Sequence, residues 1–232
     1  GNNFRRRTRR HNAAFVNHDD SFAETRFIHI MGRHKYGHPS RGKLLDEIES
    51  YITKSAAFHA VFGEQLDRRM RDSELVLRFI AFDKSFENYD GNLKLFLDET
   101  TRYYESNWSA NVGELGDRLG SLDRALKTTV AIFGSDSFKK WAGGNYERRI
   151  NRAVFDCIAR FLSDDAVASK ALADPGSVVE AFKATCGDAR FREAVEKTTK
   201  SVKATQARIA IWGKSLGAVL GMSYDAKSAR LS

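Results

Sequence analysis

A chain of 232 residues with 42% apolar side chains suffices for one sizeable core or two modest ones. Its 29% charged share, taken with sixteen phenylalanines, excludes a wholly disordered polymer, and no apolar run reaches the length of a membrane span. Two cysteines, Cys157 and Cys186, are too few for a disulfide scaffold and suit a reducing cytoplasm, while only two prolines point to a helical chain.

The formal charge of +8 is unevenly placed. Residues 1–43 hold ten Lys and Arg against Asp19, Asp20 and Glu24, a net of +7, whereas residues 44–232 are nearly neutral at +1. Five of the six histidines, His11, His18, His29, His34 and His38, also lie in this opening stretch. Gly1 to Arg10 carry five arginines and no apolar core, so they do not read as a secretory signal. Phe27–Met31 has the composition of a short strand, but Gly32, Gly37 and Pro39 break the chain directly after it. Residues 1–42 are therefore expected to form a basic, His-rich, irregular arm or degenerate linker, and residues 43–232 a helical domain.

From Leu44 onward apolar residues recur at helical spacing. Leu44, Leu45, Ile48, Tyr51 and Ile52 mark one helix, and Phe58, Val61 and Phe62 a short second one that Gly63 ends. Asp72 or Ser73 is expected to cap the next helix. Its residues Leu75, Val76, Leu77, Phe79, Ile80 and Phe82 cover most of the circumference, which predicts a central position. Tyr89–Asn92 is a turn, after which Leu93, Phe96, Leu97, Tyr104 and Trp108 predict an amphipathic helix. Leu115, Leu119, Leu122, Leu126, Val130 and Phe133 form the cleanest stripe, ending at Gly134. Gly143-Gly144-Asn145 is a break, and Ile150, Val154, Cys157, Ile158, Phe161 and Leu162 form the next stripe. Asp174-Pro175-Gly176 is the strongest turn signal, with Ser177 and Glu180 in capping-box spacing behind it. Asp188 caps a short helix bearing Phe191 and Val195, and a last helix carries Val202, Ile209, Trp212, Leu216 and Leu220. The expected fold is all-α: a compact bundle of about eight to ten helices.

Candidate chemistry is sparse. His34-x-x-x-His38 spans Gly37 and precedes Pro39, so helical ligand geometry fails, and no metal site is expected there. His18-Asp19-Asp20 has the His-Asp pair of metal-dependent phosphohydrolases, but only His59 remains in the body to complete such a site. Gly213-Lys214-Ser215 has the tail of a phosphate-binding loop, yet Ile209 stands where its first glycine belongs. Glu180 and Lys183 read as a surface ion pair rather than part of a nuclease centre. Cys157 lies on an apolar stripe and reads as core, and Cys186 ends a helix without the context of a nucleophile. No base, nucleophile and oxyanion donor can be assembled, so no catalytic residue and no cofactor is assigned. The arginine run Arg5, Arg6, Arg7, Arg9 and Arg10 suits phosphate contacts that position nucleic acid without reading sequence; the plain alternative is a solvated tail or a cloning remnant.

Five segments, in order, resemble one family. Arg71-Asp72-Ser73-Glu74-Leu75-Val76-Leu77-Arg78-Phe79-Ile80-Ala81-Phe82 is similar to the D-x-E-L-V-L-R-F-L-A-F segment of the GmrSD-type restriction-endonuclease N-terminal-domain family, whose catalytic lobe is ParB/sulfiredoxin-like. Tyr89-x-Gly91-x-Leu93-Lys94-x-Phe96-Leu97, then Val130-x-x-Phe133-Gly134 with Phe138, then Asn151-Arg152-Ala153-Val154-Phe155-Asp156, and finally Arg208-x-x-x-Trp212-x-x-x-Leu216 resemble its later steps, over roughly residues 42–220. The resemblance covers the family's C-terminal helical half and implies a partner α/β lobe whose Asp-Gly-Gln-Gln-Arg motif is absent from this chain. It also implies a linking segment, Phe-x-Arg-(Ile/Leu)-Asn-x-Gly. Phe4-Arg5-Arg6 matches its start, and Arg7-Thr8-Arg9 departs from it. A truncated, rearranged or frame-altered opening is expected on that ground.

The functional expectation is a non-catalytic helical half of a GmrSD-like anti-phage restriction protein, packing on a ParB-like lobe or partner chain and supporting DNA binding. The alternative is a free-standing helical interaction module with an unspecific nucleic-acid-binding arm. A complete enzyme is the third class, for which no site can be named. Arg71, Arg78 and Arg208 are expected to make intramolecular pairs or polar contacts between lobes.

Overall fold

The computed structural model describes residues 42–64, 71–197 and 199–232. The basic arm with its five arginines, the histidines from His11 to His38 and the Phe27–Met31 strand reading lie outside them. Among the described residues there are ten α-helices and two short antiparallel strand pairs, an all-α bundle. None of these helices is long and apolar enough to cross a membrane.

The first layer is local. Helix α1, Lys43–Lys54, buries Leu44, Leu45, Ile48 and Ile52, and Ser55 ends it while capping α2, Ala56–Phe62, through the N–H of Phe58. Gly63 comes next at φ 90°, as the helix-stop reading requires. Helix α3, Arg71–Ser85, is central: everything from Asp72 to Phe82 is buried. The expected caps Asp72 and Ser73 are not caps, because the helix has already begun at Arg71; both lie in its buried first turn.

Asn92 caps α4, Leu93–Ser106, through the N–H of Leu95. Trp108 does not continue that helix but opens the next, because the chain breaks at Asn107 (φ −144°). Helix α5, Trp108–Phe133, spans 26 residues, about 39 Å at 1.5 Å per residue. It lies against α2, α6 and α7.

The Gly143-Gly144 break is the turn of a β-hairpin, β1 Lys139–Ala142 with β2 Asn145–Ile150. Lys140 pins it by reaching Glu147 of its own hairpin at 2.8 Å and Glu196 at 2.5 Å. Asn151 then caps α6, Arg152–Leu162, whose eleven residues are all buried. Helix α7 covers Asp165–Ala173 and α8 Pro175–Gly187. Asp174 caps α8 with Pro175 in its first turn, so the cap stands three residues before the expected Ser177. Asp188 caps α9, Ala189–Glu196, as expected, and Ser201 caps α10, Val202–Leu220. A second strand pair, β3 Tyr224–Asp225 and β4 Arg230–Leu231, lies beyond Gly221.

One hydrophobic cluster runs through these elements from Leu44 to Leu231. Trp212 of α10 is fully buried, edge-on to Phe182 at 5.3 Å.

Candidate functional site

The polar residues of the segments singled out in the sequence meet inside the bundle, where α3, α6 and α10 pack. Arg78 of α3 and Arg208 of α10 converge on one carboxylate oxygen: Asp156 Oδ2 accepts from Arg78 Nη2 at 2.6 Å and from Arg208 Nη2 at 3.0 Å. All three side chains are under 10% exposed. A carboxylate in that setting must be paired, since its desolvation costs several kcal/mol. Beside them Arg152 and Glu74, also buried, stand 3.7 Å apart.

Arg208 does a second job. Its Nη1 donates to the carbonyl of Thr199 at 2.6 Å, and the Tyr89 hydroxyl donates to the carbonyl of Lys200 at 2.5 Å. Gly91, at φ 96°, lies so close to this stretch that a Cβ there would sit 3.3 Å from Val202 Cγ2. The turn before α4 and the guanidinium of α10 thus grip the same connection between α9 and α10. Asn151 ties the last turn of α9 to the start of α6: its Oδ1 accepts from Ala153 N and Val154 N, and its Nδ2 donates to Val195 O at 3.2 Å. Burial pushes the Tyr89 phenol above its ordinary value against the opposing field of Arg78 and Arg208.

A second buried cation closes the C-terminal side. Arg160 of α6 gives three hydrogen bonds to carbonyls, of Phe82 at 2.7 Å, Ser228 at 2.7 Å and Ala229 at 2.9 Å. Its desolvation, reinforced by nearby Arg230, presses its pKa down. Arg230 itself pairs with Asp83, which Arg118 also holds.

The remaining sequence candidates resolve individually. Gly213-Lys214-Ser215 is the interior of α10, where a Cβ on Gly213 would stand 2.6 Å from Phe161 and from Tyr224; close packing explains the glycine. Glu180 and Lys183 form the expected surface pair at 2.8 Å. Cys157 is fully buried core, and Cys186 is buried with its thiol pushed up to about 11 by desolvation. Among the described residues no three His, Cys, Asp or Glu side chains are grouped to hold a metal ion. Arg5, Arg6, Arg7, Arg9 and Arg10 lie outside the described residues.

Pairing of Arg78 and Arg208 is as the sequence leads one to expect; their shared acceptor is not, because Asp156 is 78 and 52 residues away in the chain. Arg160 and its carbonyl acceptors carry no sequence signal. The structure also shows a cleft of about 330 Å³ between α9 and α10, lined by Arg190, Ala207, Ala210, Ile211 and Lys214. Its only trace in the sequence is the spacing 207, 210, 211, 214, one face of a helix. Comparison with family models, curated proteins and solved structures gives no match.

Proposed function

We propose that this chain is a non-catalytic helical lobe, the C-terminal half of a GmrSD-like anti-phage restriction protein of the cytoplasm. It packs on a ParB-like lobe and supports DNA binding, with Arg5, Arg6, Arg7, Arg9 and Arg10 as phosphate contacts. One observation supports this reading above the others: Arg78, Tyr89, Gly91, Asn151, Asp156 and Arg208, drawn from four of the five resembling segments, are all spent on packing, Arg78 and Arg208 on Asp156, Arg208 and Tyr89 on the Thr199 and Lys200 carbonyls, Gly91 against Val202 and Asn151 on the last turn of α9. Residues spent on locking helices together specify a rigid lobe. Catalytic residues would instead converge on a space where a substrate fits.

The test is DNA binding and nucleotide hydrolysis by the chain alone and with a ParB-like lobe added. The chain alone is expected to bind duplex DNA of any sequence with similar affinity and to hydrolyse no nucleotide. Turnover by the chain alone overturns the non-catalytic reading. Unchanged DNA affinity after all five arginines are replaced by alanine removes the arm from it.

A further inference from the structure

The cleft between α9 and α10 lies outside the buried network. Its floor is apolar and made of short side chains: Ala207, Ala210 and Ile211 line one face of α10 at helical spacing. Its rim is cationic, with exposed Arg190 on α9 and exposed Lys214 on α10, and no carboxylate lines it among the described residues. The Asp188 carboxylate, the cap before α9, accepts from the backbone N–H groups of Arg190 and Phe191 and also feels the charges of Arg190 and Arg192. One turn before Ala207, exposed Lys203 extends the positive rim. From Lys203 to Lys214 the stripe runs about 16 Å at 1.5 Å per residue, or three helical turns.

We propose that this cleft docks an acidic amphipathic helix of a partner protein, its apolar face on Ala207, Ala210 and Ile211 and its carboxylates against Arg190, Lys203 and Lys214. Four features select that occupant. Two alanines on the floor let a second helix approach to the 8–10 Å axis separation of packed helices. An apolar floor gains from burying leucine-like side chains, and a phosphodiester backbone has none to offer. Among the described residues no aromatic ring lines the cleft for a base to stack on, as single-stranded nucleic acid would use. The charge is complementary to carboxylates and fixes the sign of the partner.

The proposal does not depend on DNA binding, and the experiment separates the two. A fluorescein-labelled 14-residue synthetic helix, leucine on one face and glutamate on the other, is titrated with the full chain by fluorescence anisotropy. Two further peptides carry glutamine or lysine in place of every glutamate, and a labelled 20-base-pair duplex is the fourth probe. The acidic peptide is expected to bind at least tenfold tighter than the glutamine one. Arg190→Glu with Lys214→Glu, both at exposed positions, reverses the preference so that the lysine peptide binds tighter than the acidic one. Ile211→Asp weakens the acidic and glutamine peptides at least tenfold, with the far-ultraviolet circular dichroism unchanged in both variants as a check on folding. Equal binding of the acidic and glutamine peptides, or an acidic peptide indifferent to the charge reversal, overturns the proposal. So does a charge reversal that abolishes duplex binding and leaves peptide binding intact, since the occupant is then nucleic acid.

Discussion

Asp156 serves two guanidiniums from one oxygen in the interior of the bundle. Removing it takes the shared carboxylate from two buried cations, whereas removing all three charged groups takes away both ends of each of these two ion pairs together. Asp156→Leu is therefore expected to cost about 3–5 kcal/mol of unfolding free energy. The triple change Arg78→Met, Asp156→Leu, Arg208→Met should cost less than that single one, read by urea titration. Were the triple variant the less stable, the Arg208 bond to the Thr199 carbonyl would outweigh the ion pairs. Buried thiols give a second expectation at this scale. Cys186, with its pKa at about 11 instead of 9.0, keeps its proton in the fold while the unfolded chain sheds it. Stability should be insensitive to this thiol below pH 9. Between pH 9 and 11 the contribution of this thiol should fall with rising pH, by about 1.4 kcal/mol per pH unit, and buried Cys157, its thiol also pushed up by desolvation, acts in the same direction over that window. Burial also raises Tyr51, Tyr104 and Tyr146, which act in the same direction at higher pH. Urea midpoints at pH 8 and 10.5, for the chain and for Cys186→Ala, measure the effect.

At the scale of elements, the same substitution takes opposite signs by location. Gly213→Ala supplies a better helix former but places a methyl 2.6 Å from Phe161 and Tyr224, so the chain should lose stability. Gly113, Gly116 and Gly120 of α5 have open space where a Cβ would go, and alanine at each should add up to about 1 kcal/mol. Thermal melts of the four single variants decide the signs. Asn151→Ala removes the cap of α6 and its bond to Val195, and should cost about 1–2 kcal/mol. Elements differ just as much in how readable they are from the sequence. Helices α1, α3, α5 and α10 are legible because their apolar residues repeat at 3–4 positions over long stretches. The boundary at Asn107 is not, since no Gly or Pro marks it and the apolar spacing runs on through Trp108. Hairpin β1–β2 escapes for a different reason: Asn145–Ile150 is mostly exposed and polar, so it lacks the alternation of a half-buried strand. Ser177 loses the capping role because Asp174, three residues earlier, reaches the Ser177 N–H first.

For the whole molecule, charge and partner choice are the testable properties. The near-neutral body and the +7 of residues 1–43 predict that DNA affinity resides in the opening stretch. If all five arginines contact phosphate, log K should fall against log salt with a slope of about −4.5, and each arginine removed should reduce that slope by roughly one unit. Filter binding between 50 and 200 mM salt reads the slope; one near zero sinks the arm. The α9–α10 cleft, in contrast, is out of reach of sequence reasoning. Arg190 and Lys214 are ordinary surface cations until the packing of two helices brings them to one rim, and nothing in their spacing announces that meeting.

The three carbonyls that receive Arg160 are far apart in the order of synthesis. Phe82 precedes it by 78 residues, while Ser228 and Ala229 come 68 and 69 residues after it. A polypeptide leaving the ribosome therefore presents α6 with its cation served by one carbonyl of three until Ser228 and Ala229 have emerged. Nascent chains stalled with residues 223–232 still inside the exit tunnel should hold α6 loosely and be cut there by protease, and a ten-residue-longer arrest should close the site against it.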